Sequence, residues 1–134
     1  MTGTRGPLNA FLDLAEIPVP SAQNGPLAGL TLAVKDIFDV AGYRTGCGNP
    51  QKHDEAQPAA ATAPAVQMLL ASGARFVGKT QTDELAFSLM GLNAHFPTPV
   101  NPTAPDRITG GSSSGSASAV AGGLADIATG SDTG

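Results

Sequence analysis

The sequence predicts an α/β fold. Three observations carry that prediction. Residues 30–35, LTLAVK, alternate Leu30, Leu32 and Val34 with smaller or polar residues, the period of a strand. Residues 62–73 place Val66, Leu69 and Leu70 at helical spacing, with Pro64 in the first turn and Gly73 as a stop. Residues 75–78, RFVG, form a second short apolar run. Strand, helix and strand at this spacing make a βαβ unit with a parallel pair.

Composition supports a packed domain. The chain has 134 residues, 41% of them apolar and only 13% charged, too little charge for a disordered polyampholyte. Gly and Pro number 17 and 11, well above average usage, without a Gly-X-Y period, so loops rather than collagen absorb them. Aromatics are 4% with no Trp, so the core is aliphatic and small. The net charge is −4 and the basic residues are scattered, which argues against nucleic acid or an anionic membrane as partner. Residues 1–20 lack the long apolar stretch of a signal peptide, and no run reaches membrane-span length. Cys47 is the lone cysteine, so no internal disulfide forms. A reducing, cytoplasmic location is expected.

Along the rest of the chain, residues 8–17 set Leu8, Phe11, Leu12 and Ala15 at helical spacing and predict a short amphipathic helix ended by Pro18 and Pro20. Residues 1–25 are then an N-terminal helix and linker, and residues 26–134 one folded portion. Residues 41–58 read as irregular. Thr62 is expected to cap the helix that follows it. Thr82 caps a second predicted helix, with Asp83 and Glu84 in its first turn and Leu85, Ala86 and Leu89 on its apolar side. Residues 93–107 are a Pro-rich loop. Residues 110–123, GGSSSGSASAVAGG, run from a Gly-Ser loop into an Ala-rich helix over 116–124, and Ile127 with Ala128 forms a short strand.

The Gly-Ser loop is the feature most open to chemistry. Glycines ahead of a helix let backbone N–H groups approach a ligand, but neither the Walker pattern nor G-x-G-x-x-G is present. A serine nucleophile needs a base. His53 and His95 both read as solvated loop histidines without metal-site spacing. Lys35 remains. It either reaches solvent or pairs with Asp36 or Asp39, or it is desolvated, neutral near pH 7 and able to accept a proton. Lys79 reads as a strand-end charge. Cys47 reads as a small half-buried residue and not a nucleophile.

Three segments together resemble the amidase signature family: residues 29–39, GLTLAVKDIFD; residues 78–87, GKTQTDELAF; and residues 101–134, NPTAPDRITGGSSSGSASAVAGGLADIATGSDTG. The resemblance runs from about Pro26 to the end. It implies the first part of an α/β fold, a mixed sheet covered by helices, that stops before the family's nucleophilic serine. It places Lys35 on the catalytic lysine and Ser112 on the serine that follows a cis peptide bond. Ser113 and Asp132 become supporting residues, and Thr133 and Gly134 the start of the oxyanion-hole backbone. It implies linear amides as substrates, no cofactor or metal, and a possible homodimer of the full-length protein. Residues 93–107 look most like the branch that cleaves aryl acetamides such as indole-3-acetamide. The alternatives are an A-type glutaminase component of an amidotransferase, allophanate-type hydrolases and a non-catalytic binding module. A sheet cut short exposes its edges, so marginal stability is expected, and these 134 residues alone should not turn over amides.

Overall fold

The computed structural model describes residues 3–133. It is a five-stranded mixed sheet with a helix on each face. In chain order the strands are β1 (Thr4–Arg5), β2 (Phe11–Leu12), β3 (Thr31–Lys35), β4 (Arg75–Thr80) and β5 (Ile127–Ala128). Across the sheet they run β1-β2-β4-β3-β5. The central pair β3–β4 is parallel, as is β3–β5, while β1–β2 and β2–β4 are antiparallel. The helices are α1 (Pro50–Glu55), α2 (Pro64–Ala71) and α3 (Ser114–Ala121).

Strand alternation in β3 sorts the molecule into two cores. Leu32 and Val34 point to one face, where they meet Val66 and Leu70 of α2 together with Val40, Tyr43 and Ala74. Ala33 points to the other face, where it packs on Ala10, Phe11, Ala119 of α3 and Ala125. Lys35 follows Ala33 by two residues and so lies on the α3 side. A bulge in β4 opposite Leu32 and Ala33 shifts the register, leaving Lys79 beside Val34 and Thr80 beside Lys35. The buried helix α3 comes very close to the sheet. Its Gly115 N–H donates to Gln81 O at 3.0 Å, and a Cβ at Gly115 would lie 2.5 Å from Ala10 O and from Gln81 N.

The βαβ unit forms as the sequence predicts, with β4 two residues longer and Gly73 at φ 104° just past α2. Other elements differ. Residues 8–17 are not a helix. Leu8 and Asn9 have φ of 69° and 54°, and Phe11 pairs with both Arg5 and Thr80. The apolar residues that suggested a helix instead cover the edge of β4, an edge that would otherwise expose unpaired N–H and C=O groups. Leu14, Ile17 and Val19 then pack on the α2-side core.

The helix expected from Thr82 is only a 3-10 turn, Glu84–Ala86. Asp83 N–H goes to Ser112 O and Leu85 N–H to Cys47 O, so tertiary partners replace a helical ladder. Leu85 and Leu89 are exposed rather than packed. Thr62 does not cap α2. Ala63 holds that position, and the Thr62 hydroxyl accepts the Ala41 N–H at 3.0 Å. The stretch expected to be irregular contains α1, whose Asn49 side chain accepts the Lys52 N–H at 2.8 Å with Pro50 in the first turn. The Ala-rich helix starts at Ser114 instead of 116 and ends at Ala121.

Candidate active site

The site forms where β3 ends against the N-terminus of α3. Lys35 is the last residue of β3 and its side chain is fully buried. Its Nζ lies 2.7 Å from Ser112 Oγ, 2.9 Å from Ser113 Oγ and 2.8 Å from Ser131 Oγ. Its backbone N–H donates to Thr129 Oγ1 at 2.9 Å. Burial pulls the Lys35 amine below its ordinary value, against the opposing pull of the Asp83 and Asp132 carboxylates. Lys35 therefore neither reaches solvent nor pairs with Asp36 or Asp39. Asp36 is taken by Lys79 at 2.7 Å, and Asp39 accepts the Thr45 hydroxyl at 2.6 Å.

Ser112 and Ser113 stand in the Gly-Ser loop just ahead of α3. The Gly111–Ser112 peptide bond is cis. Ser112 O accepts the Asp83 N–H at 3.0 Å, and the loop is seated so tightly that a Cβ on Gly111 would overlap the Asp83 carboxylate. Deeper along α3, the Ser116 hydroxyl meets Thr80 Oγ1 at 2.7 Å and donates to Thr129 O at 2.8 Å. These bonds tie α3, β4 and the segment after β5 into one frame around Lys35. Ser131 is half-buried and bonds reciprocally with Ser113: its N–H donates to Ser113 Oγ at 3.1 Å, and the Ser113 hydroxyl donates to Ser131 O at 3.3 Å.

The structure thus brings Lys35, Ser112 and Ser113 together. Asp132 is exposed beside them and acts on Lys35 through its charge. Thr133 sits farther out, its hydroxyl donating to Ala86 O at 3.0 Å. Gly134 lies outside the described residues. Two neighbours of Lys35 were not assigned a role from the sequence. Ser131 sits inside the Gly-Ser-Asp-Thr-Gly run, so its signal was present. Asp83 lies inside the 78–87 motif but read only as a first-turn acid, because only the tertiary fold carries it beneath the Gly-Ser loop.

The other singled-out residues lie elsewhere. Lys79 lies one residue before the end of β4, buried with Asp36 and donating to Thr45 Oγ1 at 3.2 Å. Burial raises the Asp36 carboxyl above its usual range, with Lys79 opposing. His53 is not a solvated loop residue. It belongs to α1, largely buried, with Nδ1 3.2 Å from Asp54 Oδ1. His95 is a solvent-exposed loop residue, as expected, with Nε2 2.9 Å from Glu84 Oε1. Cys47 is half-buried and burial pushes its thiol up. Among the described residues, no group of three metal-ligating side chains exists and no helix is long and apolar enough to cross a membrane. A pocket of about 230 Å³ lined by Ala86, Phe87, Ser88, Leu89 and Thr133 opens beside the last described residues.

The sequence model of the family described as Amidase matches residues 9–134. The chain belongs to the amidase family. It is 53% identical over 132 residues to "Amidase 1" of Oryza sativa subsp. japonica, covering 98% of this chain and 30% of that protein. It is 46% identical to "Outer envelope protein 64, chloroplastic" of Arabidopsis thaliana, covering 96% of this chain and 23% of that one. A glutamyl-tRNA(Gln) amidotransferase component from Thermotoga maritima superposes with a TM-score of 0.76 at 33% identity, over 90% of this chain and 26% of that one. The chain thus spans less than a third of the length of the amidase-family relatives it matches, and the α/β sheet described above is a piece of their fold.

Proposed function

We propose that this chain supplies the proton-relay half of an amide-hydrolysing site. One observation carries the reading: a fully buried lysine amine 2.7 Å from the hydroxyl of Ser112. A lysine taken out of water loses its proton more readily, and a neutral amine can accept one. In this reading Lys35 is the base and takes the Ser112 proton. Ser112 in turn accepts the proton of an attacking serine hydroxyl and later delivers it to the departing amine. The attacking serine is expected after Gly134, as the family resemblance implies. The bond broken is the amide C–N bond, and water then releases the carboxylate from the acyl-enzyme. Ser113 and Ser131 hold the Lys35 amine in line, Asp132 supports it electrostatically, and Thr133 with Gly134 opens the N–H row that would face the developing oxyanion. No residue in this scheme calls for a cofactor.

The pocket beside Thr133 favours an aryl or alkyl acetamide over a polar amide, because Phe87 and Leu89 contribute its wall. The likeness to a tRNA-dependent amidotransferase component supports a second reading, a glutaminase working with a partner protein. The test is ammonia release by the protein expressed whole from its own gene, with indole-3-acetamide and glutamine as alternative substrates. Turnover of the aryl acetamide, lost in Lys35→Ala and in Ser112→Ala, is the expected result, with no turnover by residues 1–134 alone. Glutamine turnover only in the presence of a partner would favour the second reading. Ammonia release unchanged by Lys35→Ala would overturn both, and a protein inert toward every amide would leave a binding module.

A further inference from the structure

We propose that Asp83 is a positioning residue for Lys35 and Ser112, fixing the Ser112 loop through its backbone while its buried carboxylate supplies the counter-charge that governs when Lys35 gives up its proton. The inference rests on the proton-relay reading above and adds a residue to it. Asp83 is fully buried, a rare state for a carboxylate without a cation in contact. Its Oδ2 accepts a hydrogen bond from the Gly91 N–H at 3.2 Å, while Oδ1 has no hydrogen-bond partner among the described residues. Burying a charged group costs much unless it is paired and hydrogen-bonded, so this carboxylate is set apart from the other acids of the fold. The carboxylate lies against Gly111, the residue before Ser112, whose hydroxyl is 2.7 Å from the Lys35 amine, so its negative charge stands beside that amine and opposes the effect of burial on it.

The remaining charged groups near Lys35 do not compete for this role. Asp36 and Lys79 neutralise each other on the opposite side of β3. The residues that touch the amine from the Gly-Ser loop and from the segment after β5 are uncharged hydroxyls, those of Ser112, Ser113 and Ser131. Asp83 also grips the loop directly. Its N–H binds Ser112 O at 3.0 Å, and its carboxylate fills the space that only a glycine at position 111 leaves open. One residue therefore sets both where Ser112 sits and how strongly Lys35 holds its proton.

Asp83→Asn separates the two roles. It keeps the shape, the backbone bond to Ser112 and an oxygen for Gly91, and removes only the charge. The experiment follows the Lys35 ζ-nitrogen through a pH titration by NMR in lysine-labelled protein expressed whole from its own gene, the resonance assigned by its loss in Lys35→Met. Asp83→Asn is expected to lower the Lys35 midpoint measurably, and Asp132→Asn by less. The acid limb of the kcat/KM profile should move down with it. An unchanged Lys35 midpoint in a folded Asp83→Asn protein would overturn the proposal, even if activity fell. Should that variant not fold, the wild-type Asp83 carboxyl carbon serves. It is expected to show an inflection at the Lys35 midpoint, and absence of that inflection would overturn the proposal too. The titration needs no turnover, so a protein inert toward amides would sink the hydrolase reading without touching this one.

Discussion

Gly115→Ala probes how tightly α3 must lie on the sheet. An added Cβ would sit 2.5 Å from Ala10 O and from Gln81 N, and 2.8 Å from Gln81 O, all three backbone atoms with no rotamer to yield. Ordinary contact begins near 3.4 Å, so the helix must retreat by about 0.9 Å. Ser112 precedes this helix, and its Oγ is 2.7 Å from Lys35 Nζ. A retreat of that size takes the pair to about 3.6 Å, beyond hydrogen-bond range. Overpacking costs about 1–3 kcal/mol, and the better helix propensity of Ala returns up to ~1 kcal/mol. With the Ser112 bond lost as well, a net loss of about 2 kcal/mol is expected. Urea denaturation would show it as a lower midpoint with unchanged slope. Ala117→Ser, on the exposed side of the same helix, is the control and should stay within about 0.5 kcal/mol. A Gly115→Ala chain as stable as the wild type would show that α3 has slack, and the account of the site as a rigid frame would fail.

Two further expectations concern buried charge. Asp36→Asn or Lys79→Met alone should destabilise by about 3–5 kcal/mol by stranding the partner, while Asp36→Leu combined with Lys79→Met should recover most of that. Equal losses in the single and double variants would contradict it. Lys35 gives a pH signature: its folded-state pKa lies below the ordinary 10.5, so the unfolded chain binds the extra proton between those values. The Lys35 contribution therefore rises with pH through that window, by at most about 1.4 kcal/mol per unit, and is lost as pH falls through the folded value. Melting temperatures of Lys35→Met measured across the same range should show a flatter dependence than the wild type, and parallel curves would refute it.

Strong periodicity made the centre of the fold readable from sequence. The alternation of Leu32 and Val34 and the helical spacing of Val66 and Leu70 reflect burial on one side only, and both elements lie where the pattern put them. The segment around Phe11 misled because its spacing fits a helix and a sheet edge equally well, and only the unpaired flank of β4 decides between them. The stretch after Thr82 misled for a related reason. Its capping residues and first-turn acids are good local signals, but Ser112 O and Cys47 O claim its N–H groups from other parts of the chain. At the candidate site, the family resemblance singled out Lys35 and Ser112, and the fold places them 2.7 Å apart. The rest of the surroundings was not legible, since Ser131 reaches the amine and Asp83 reaches the Ser112 loop only through tertiary geometry.

The Lys35–Ser112 contact joins residues 77 positions apart, and the Lys35–Ser131 contact joins residues 96 apart. β3 is flanked by two strands that both come later in the chain. During synthesis at about 5–20 residues per second, Lys35 therefore leaves the ribosome several seconds or more before the hydroxyls that will receive its amine. β4, residues 75–80, emerges within that interval and can pair with β3, but the amine still lacks the hydroxyls of Ser112, Ser113 and Ser131. It stays hydrated, and the strand cannot be buried on that side until β5 and the Gly-Ser loop arrive. The lysine that the finished fold buries is thus costly to bury until that fold supplies its three hydroxyl partners.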